Sequence, residues 1–156
     1  MVSRTELPAA AAAADPRFGE FYQYWRSRAP AEGGLPGRQH IDPVEIPHLL
    51  PGIVLFDVVH DGTRLRFRWR LIGTEVVDAV GTDYTGRFID EVIITAGSYE
   101  VLHDVLSGIV RTKQPHFWRT HIRASVRNFR WLQRLALPLA RDGEIVDMLI
   151  AFYLPA

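Results

Sequence analysis

The sequence predicts an α+β domain built on one antiparallel sheet, with helices inserted between the second and third strands. Five segments have strand patterns, and two of their connections, Asp61-Gly62 and Asp142-Gly143, are hairpin signals. The helical patterns lie before the first strand or between the second and third strands. The 156 residues are within the usual size of one domain.

An aromatic stripe marks the first long helix. Asp15 and Pro16 form a start signal, because aspartate caps helix N-termini and proline suits the first helical position. Four aromatic residues then recur at i, i+3, i+4 and i+7: Phe18, Phe21, Tyr22 and Trp25. The stripe either docks on the domain's own core or forms an interface. We expect a homodimer with these residues in its contact, because large exposed apolar patches are uncommon on monomers.

The chain divides into three parts by composition and pattern. Residues 1–14 contain an alanine run without the basic and apolar regions of a signal peptide, so we expect a disordered leader. Residues 15–51 form an N-terminal helical extension, in which Asp42-Pro43 starts a short helical turn. Residues 52–156 form the core of the domain.

Strand and helix patterns alternate along this core. The predicted strands span residues 53–59, 64–71, 117–124, 130–139 and 145–153. The predicted helices span residues 74–80, 88–94 and 98–113. In the second strand, four apolar residues alternate with four arginines: Leu65, Phe67, Trp69 and Leu71 against Arg64, Arg66, Arg68 and Arg70. The long helix has four apolar residues on the side that we expect to pack on the sheet: Val101, Leu102, Val105 and Ile109.

The last strand differs from the others because it is apolar on both faces, apart from Asp147. Such a strand belongs in the middle of a sheet. We therefore expect it to be central.

Several short segments, in this order, resemble a bacterial family of short PAS-like proteins. They are Arg70-Leu71-Ile72-Gly73-Thr74, the run 81–86, and Leu137-Pro138-Leu139 before the second hairpin. The resemblance covers residues 18 to 154 and implies a five-stranded antiparallel sheet in the order 2-1-5-4-3. It also implies helices on one face, a flanking N-terminal helix, and a space between sheet and helices that can hold a small ligand.

Six aromatic residues are candidates for the lining of such a ligand pocket: Phe67, Trp69, Tyr84, Phe88, Trp118 and Trp131. The alternative is that they only fill the core. No cofactor is predicted. The chain has no cysteine for a flavin photosensor or a thiolate metal site, and His103 is a lone helical histidine, more often an ordinary residue than a haem ligand. No metal site and no catalytic residue are predicted.

The strand arginines allow three interpretations. Arg119, Arg123, Arg130 and Arg134 add to the four on the second strand. They form a solvated face, pair with carboxylates of the N-terminal helix or of a second subunit, or bind nucleic acid. We expect no nucleic acid partner, because the formal net charge is zero.

The resemblance implies a sensory or regulatory module that acts by protein–protein contact, with or without a small ligand in its cavity. A homodimer, or a signalling protein such as a kinase, is the expected partner. The alternatives are an isomerase or hydratase with a cone-shaped pocket, which requires a buried carboxylate, and a structural dimerisation domain with a filled core. We expect a cytoplasmic protein without membrane insertion, because no apolar stretch approaches about 20 residues.

Overall fold

An antiparallel sheet forms the centre of the molecule. Its five strands are β1 (Ile53–Asp61), β2 (Arg64–Ile72), β3 (His116–Arg123), β4 (Phe129–Leu139) and β5 (Met148–Pro155). Their spatial order is β2-β1-β5-β4-β3, which confirms the predicted order and the predicted fold class. The structure, a computed structural model, describes residues 6–92, 96–123 and 129–155. Positions 93, 94 and 124, at the ends of a predicted helix and strand, lie outside the described residues.

The α-helices of the described residues flank this sheet. They are α1 (Ala9–Ala14), α2 (Pro16–Ser27), α3 (Thr74–Val80), α4 (Ile89–Val92) and α5 (Ala96–Thr112). Three single-turn 3₁₀-helices, Arg38–His40, Pro43–Glu45 and Leu50–Gly52, connect α2 to β1. The prediction of a disordered leader is wrong for α1, because an alanine run has the highest helix propensity and Ala11 is buried.

The two hairpins differ in how closely they follow the prediction. Gly62 has a positive φ and lets β1 turn directly into β2, so that Asp61 pairs with Arg64. After Gly143 the turn is longer, because the Asp142 carboxylate accepts hydrogen bonds from two following backbone N–H groups. As a result β5 begins at Met148 rather than at residue 145.

The sheet has two covered faces. We call the face under α3 and α5 the inner face and the opposite one the outer face. On the outer face the ring of Phe18 in α2 lies 5.2 Å from that of Phe117 and 5.6 Å from that of Phe152. Trp25 also donates a hydrogen bond of 2.9 Å from Nε1 to the carbonyl of Pro138. Helix α2 is therefore fastened to its own sheet.

This packing corrects the prediction of a dimer interface on α2. Each of the four stripe residues is at most 3% exposed: Phe18, Phe21, Tyr22 and Trp25. They are buried because apolar residues of the outer face, among them Phe117 and Phe152, receive the stripe within one chain. The prediction that these side chains form an intersubunit contact is therefore wrong for this structure.

Helix α5 packs on the inner face along a slightly different side than predicted. Leu106 and Ile109 are its most buried residues, and Leu102 and Val105 are partly buried. Val101 is 59% exposed. It lies about 100° around the helix from Leu102, at the edge of the packed side, so its predicted burial is wrong.

We predict that Phe18→Ala lowers the free energy of unfolding by about 3–5 kcal/mol, because it leaves a cavity beneath α2. Gln23→Ala, an exposed position on the same helix, is the matched control and should change stability by less than about 0.5 kcal/mol. Urea denaturation followed by circular dichroism measures both. Unchanged stability of the Phe18 variant would contradict the packing described here.

Candidate functional site

A cavity of about 240 Å³ lies between the inner face of the sheet and the helices. Its lining is mainly aliphatic: Val54, Ile72, Val76, Val80, Val92, Leu102 and Leu132. The remaining lining residues are aromatic or polar: Trp69, Tyr84, Tyr153, Thr82 and Arg134. An apolar pocket with a few polar groups is the usual form of a small-molecule site, and this one is smaller than the common range of about 300–1,000 Å³.

A β-bulge places two of these residues on the same face. Val54 pairs with Ile72, but the register shifts between Leu55 and Phe56, so that Phe56 pairs with Trp69. The bulge brings both Ile72 and Trp69 to the cavity, although simple alternation would separate them. For the same reason Leu71, predicted on the face of Trp69, is 43% exposed, and that prediction is wrong.

The segment after α3 forms one wall of the cavity. Tyr84 stacks on Trp69 with ring centroids 5.4 Å apart. The backbone of Trp69 accepts a hydrogen bond from Gly86 (2.7 Å) and donates one to Arg87 (3.0 Å). Asp83 shapes the turn, because its carboxylate accepts hydrogen bonds from the N–H and hydroxyl of Thr85. The wall is therefore attached to the free edge of β2.

An ion pair between β2 and α4 also holds this wall against the sheet. Arg66 binds Asp90 through two hydrogen bonds, of 2.9 Å from Nε and 3.0 Å from Nη2. The guanidinium also lies over the ring of Phe88, 3.9 Å from its centroid. The hydrogen bonds from Arg66 hold the pKa of Asp90 below its usual value. The strand arginines in this region thus pair within the chain, and Arg68 does the same with Asp57.

Arg134 is the one charged residue among the buried ones described by the structure, with 9% of its surface exposed. Its register partners are Trp118 on β3 and Tyr153 on β5, so the three side chains share the inner face. The guanidinium carbon lies 5.3 Å and 5.1 Å from the centroids of their rings. Nη2 donates a hydrogen bond of 2.7 Å to the hydroxyl of Thr120, whereas Nε is buried without a partner among the described residues.

Burial changes the titration of this group and its neighbour. It lowers the pKa of Arg134 from its usual value. It raises the pKa of Tyr153, and the nearby positive charge of Arg134 offsets only part of that rise. Tyr153 is therefore a neutral phenol at pH 7 and supplies no negative charge to the arginine.

The six predicted pocket residues lie in different places, and only some of them are at the cavity. Trp69 and Tyr84 line the cavity, and Trp118 lies beside Arg134. Phe67 is fully buried against the ring of His103 and belongs to the core. Its assignment to the pocket is therefore wrong.

Two more pocket predictions are wrong for reasons of strand geometry. Phe88 lies at the edge of β2 under Arg66, outside the cavity. Trp131 is 42% exposed on the outer face, because it is an odd number of residues from Arg134 on β4. Sequence reasoning missed Arg134 and Tyr153. A signal for Arg134 is its place in the alternating row of Leu132, Arg134 and Ala136, whose other two members are apolar.

Both ring nitrogens of His103 lie next to hydrogen-bonding groups of the core, so neither is free to bind an iron. Its Nε2 is 2.9 Å from the carbonyl oxygen of Leu65, and its Nδ1 is 3.4 Å from the hydroxyl of Ser107. Within the described ranges, no group of three or more potential ligand side chains could hold a metal ion. The side chains of Arg123 and Arg130, two of the predicted sheet-face arginines, lie outside what the structure describes.

The sheet order and the cavity between sheet and helices define an α+β domain with a ligand-sized internal space. The family model of the PAS domain matches residues 14–152, and the chain belongs to this family. PAS domains are in general sensory and regulatory modules. A search of curated proteins returns no match. Among the helices of the described residues, none has the length and apolar character needed to cross a membrane.

We predict that Asp90→Asn lowers the melting temperature at pH 7, because it breaks the ion pair that holds the cavity wall. The folded-state pKa of Asp90 is lowered, so its contribution is present above the unfolded pKa of about 3.9 and is lost as pH falls through the lower, folded value. The difference from wild type should therefore disappear in acid. Thermal melts between pH 7 and 3 measure it, with the exposed Asp78→Asn as control. A difference independent of pH would contradict the ion-pair assignment.

Proposed function

We propose that this PAS domain is a sensory or regulatory module that binds one small ligand in its inner-face cavity and acts on a partner protein by contact. The observation that supports this most strongly is the cavity itself, which combines an apolar lining with one buried charged group. A core that served only to stabilise the fold would gain by closing this space, since an empty cavity is destabilising.

Ligand occupancy has a route to the surface through the wall that carries Tyr84. This wall rests on the backbone of Trp69 and on the Arg66–Asp90 ion pair, both at the edge of the sheet. A ligand against Trp69 and Tyr84 adds contacts between the sheet and the wall. It therefore favours the arrangement in which the wall is closed, which is the differential binding that a switch requires.

The two other candidate functions receive less support. The isomerase or hydratase alternative requires a carboxylate in the cavity, and the described lining residues contain none. The structural dimerisation domain requires a filled core, whereas the cavity measures about 240 Å³. The ligand-binding module is therefore the function that we retain.

We place the protein contact on the outer face, at a patch of Arg119, His121 and Trp131, which we call the outer patch. The guanidinium carbon of Arg119 lies 5.0 Å from the ring centroid of Trp131, and the rings of His121 and Trp131 are in contact. Tryptophan and arginine are enriched at protein interfaces. We propose a second copy of the chain as the occupant; a signalling protein such as a kinase is the alternative outcome.

We predict that the purified protein retains a small ligand, which native mass spectrometry detects as extra mass that is lost on denaturation. Val80→Phe should remove that mass, because the larger side chain fills the cavity beside α3. Val44→Phe is the control, since Val44 is 82% exposed and remote from the lining. A native mass equal to that of the bare chain, together with no thermal shift in a small-metabolite panel, would contradict the ligand-binding function.

We predict that Trp131→Ala reduces the solution mass from dimer to monomer in light scattering at tens of micromolar. Leu71→Ala is the control, because Leu71 has similar exposure on the far edge of the sheet. A monomeric wild type would exclude the homodimer. A dimer that persists in the Trp131 variant would place the contact elsewhere.

A further inference from the structure

We propose that the ligand of the cavity is a small organic monocarboxylate, whose carboxylate binds Arg134 and whose apolar body lies against Trp69 and Tyr84. This inference rests on the proposed function, because it assigns a chemical class to the ligand of the same cavity. It follows from a buried positive charge for which no acidic side chain of the sequence provides a counter-charge.

The whole sequence shows that no acidic side chain pairs with Arg134. The chain has 18 aspartate and glutamate residues, and every one of them lies in the described ranges. The ion pairs of the described residues use other arginines or His48, and none includes Arg134. The segments outside those ranges contain no acidic side chain. No side-chain carboxylate of this chain therefore neutralises Arg134.

The groups that do contact Arg134 are neutral. Trp118 and Tyr153 offer ring faces, and Thr120 offers a hydroxyl oxygen. Such contacts offset part of the desolvation of a guanidinium, but a buried charge is normally paired with an opposite one. Within the part of the chain that the structure describes, the Nε–H group has no acceptor. An anion in the cavity would supply both the charge and the acceptor.

A carboxylate fits this site better than a more highly charged anion. One guanidinium balances one negative charge, and the other polar lining residues, Thr82, Tyr84 and Tyr153, are uncharged. The Nε side of an arginine binds a carboxylate through two parallel hydrogen bonds, as Arg66 does with Asp90 in this chain. A phosphate dianion would leave a second charge unpaired among aliphatic side chains.

The rest of the lining sets the size and character of the ligand. The aliphatic residues come from both the sheet and the helices, so the body of the ligand must be apolar. The indole of Trp69 and the phenol of Tyr84 are stacked on one another and present an aromatic wall. At about 240 Å³ the cavity suits a molecule of the size of a single ring or a short chain.

Isothermal titration with matched acids and amides tests the proposal. The probes are benzoate with benzamide, phenylacetate with phenylacetamide, and hexanoate with hexanamide, each pair nearly equal in shape. We expect at least one acid to bind the wild-type protein ten or more times tighter than its amide. Arg134→Met should abolish that preference, and Arg134→Lys, which keeps the charge but not the paired hydrogen-bond donors, should reduce it. Arg141→Met, an exposed arginine in the β4–β5 connection, should leave it unchanged.

The melting temperature of Arg134→Met without ligand is a second test of the proposal. An unpaired buried charge costs desolvation free energy, so ligand-free Arg134→Met should melt no lower than wild type. A large drop in melting temperature would show that the charge of Arg134 is already compensated within the chain and would overturn the proposal.

Two further results would overturn it while leaving the proposed function intact. One is amides that bind as tightly as the acids, with no effect of Arg134→Met. The other is a neutral molecule identified by mass spectrometry as the retained ligand. Failure of the proposed function itself is distinct, because it would appear as a native mass without ligand and no effect of Val80→Phe on any probe.

Discussion

The central strand β5 has to be covered on both faces. All of its residues from Leu149 to Leu154 are buried, and it pairs with β1 on one side and with β4 on the other. A sheet with such a strand cannot leave either face in water, because each buried aliphatic or aromatic side chain contributes roughly 1.5–3 kcal/mol. Helix α2 covers one face with its aromatic stripe, and α3 and α5 cover the other.

The helices pack less densely on the inner face than on the outer face, and this difference produces the cavity. On the outer face, α2 places fully buried aromatic rings directly on the sheet. On the inner face the covering includes α3, a short helix, and α4, a single turn, and it leaves the space that Trp69, Tyr84 and Arg134 line.

Much of the fold could be predicted from the sequence, because local patterns determine it. The Asp61-Gly62 hairpin, the alternation in β2 and the two-sided apolar character of β5 depend only on neighbouring residues, and each was correct apart from the bulge near Leu71. The start of α2 at Asp15 and Pro16 was also correct. Local patterns do not determine which surface an element packs against. The spacing from Phe18 to Trp25 shows that one helix face is buried, but it does not show whether the covering surface belongs to the same chain.

The candidate site was harder to predict because its residues come together through pairing between distant strands. Trp69 and Tyr84 were expected in the cavity, and Trp131 was too, although its odd spacing from Arg134 puts it on the opposite face. Arg134 was grouped with the arginines of the sheet surface, since arginine in a strand usually faces water. The register of β4 with β3 and β5 shows that the side chain of Arg134 lies on the inner face, beside Trp118 and Tyr153. The signal that would have identified it is a charge in an otherwise apolar row of alternating positions, between Leu132 and Ala136.

We propose above that an anionic ligand neutralises the buried charge of Arg134. The Nε–H group of this residue can be observed directly in the ¹H–¹⁵N spectrum of the arginine side chains, with Arg134→Met identifying the signal. We predict that benzoate, but not benzamide, shifts this signal downfield as a charge-assisted hydrogen bond forms, while the Nε–H signal of Arg66 stays in place. Benzoate that binds the protein without moving the Arg134 signal would contradict it.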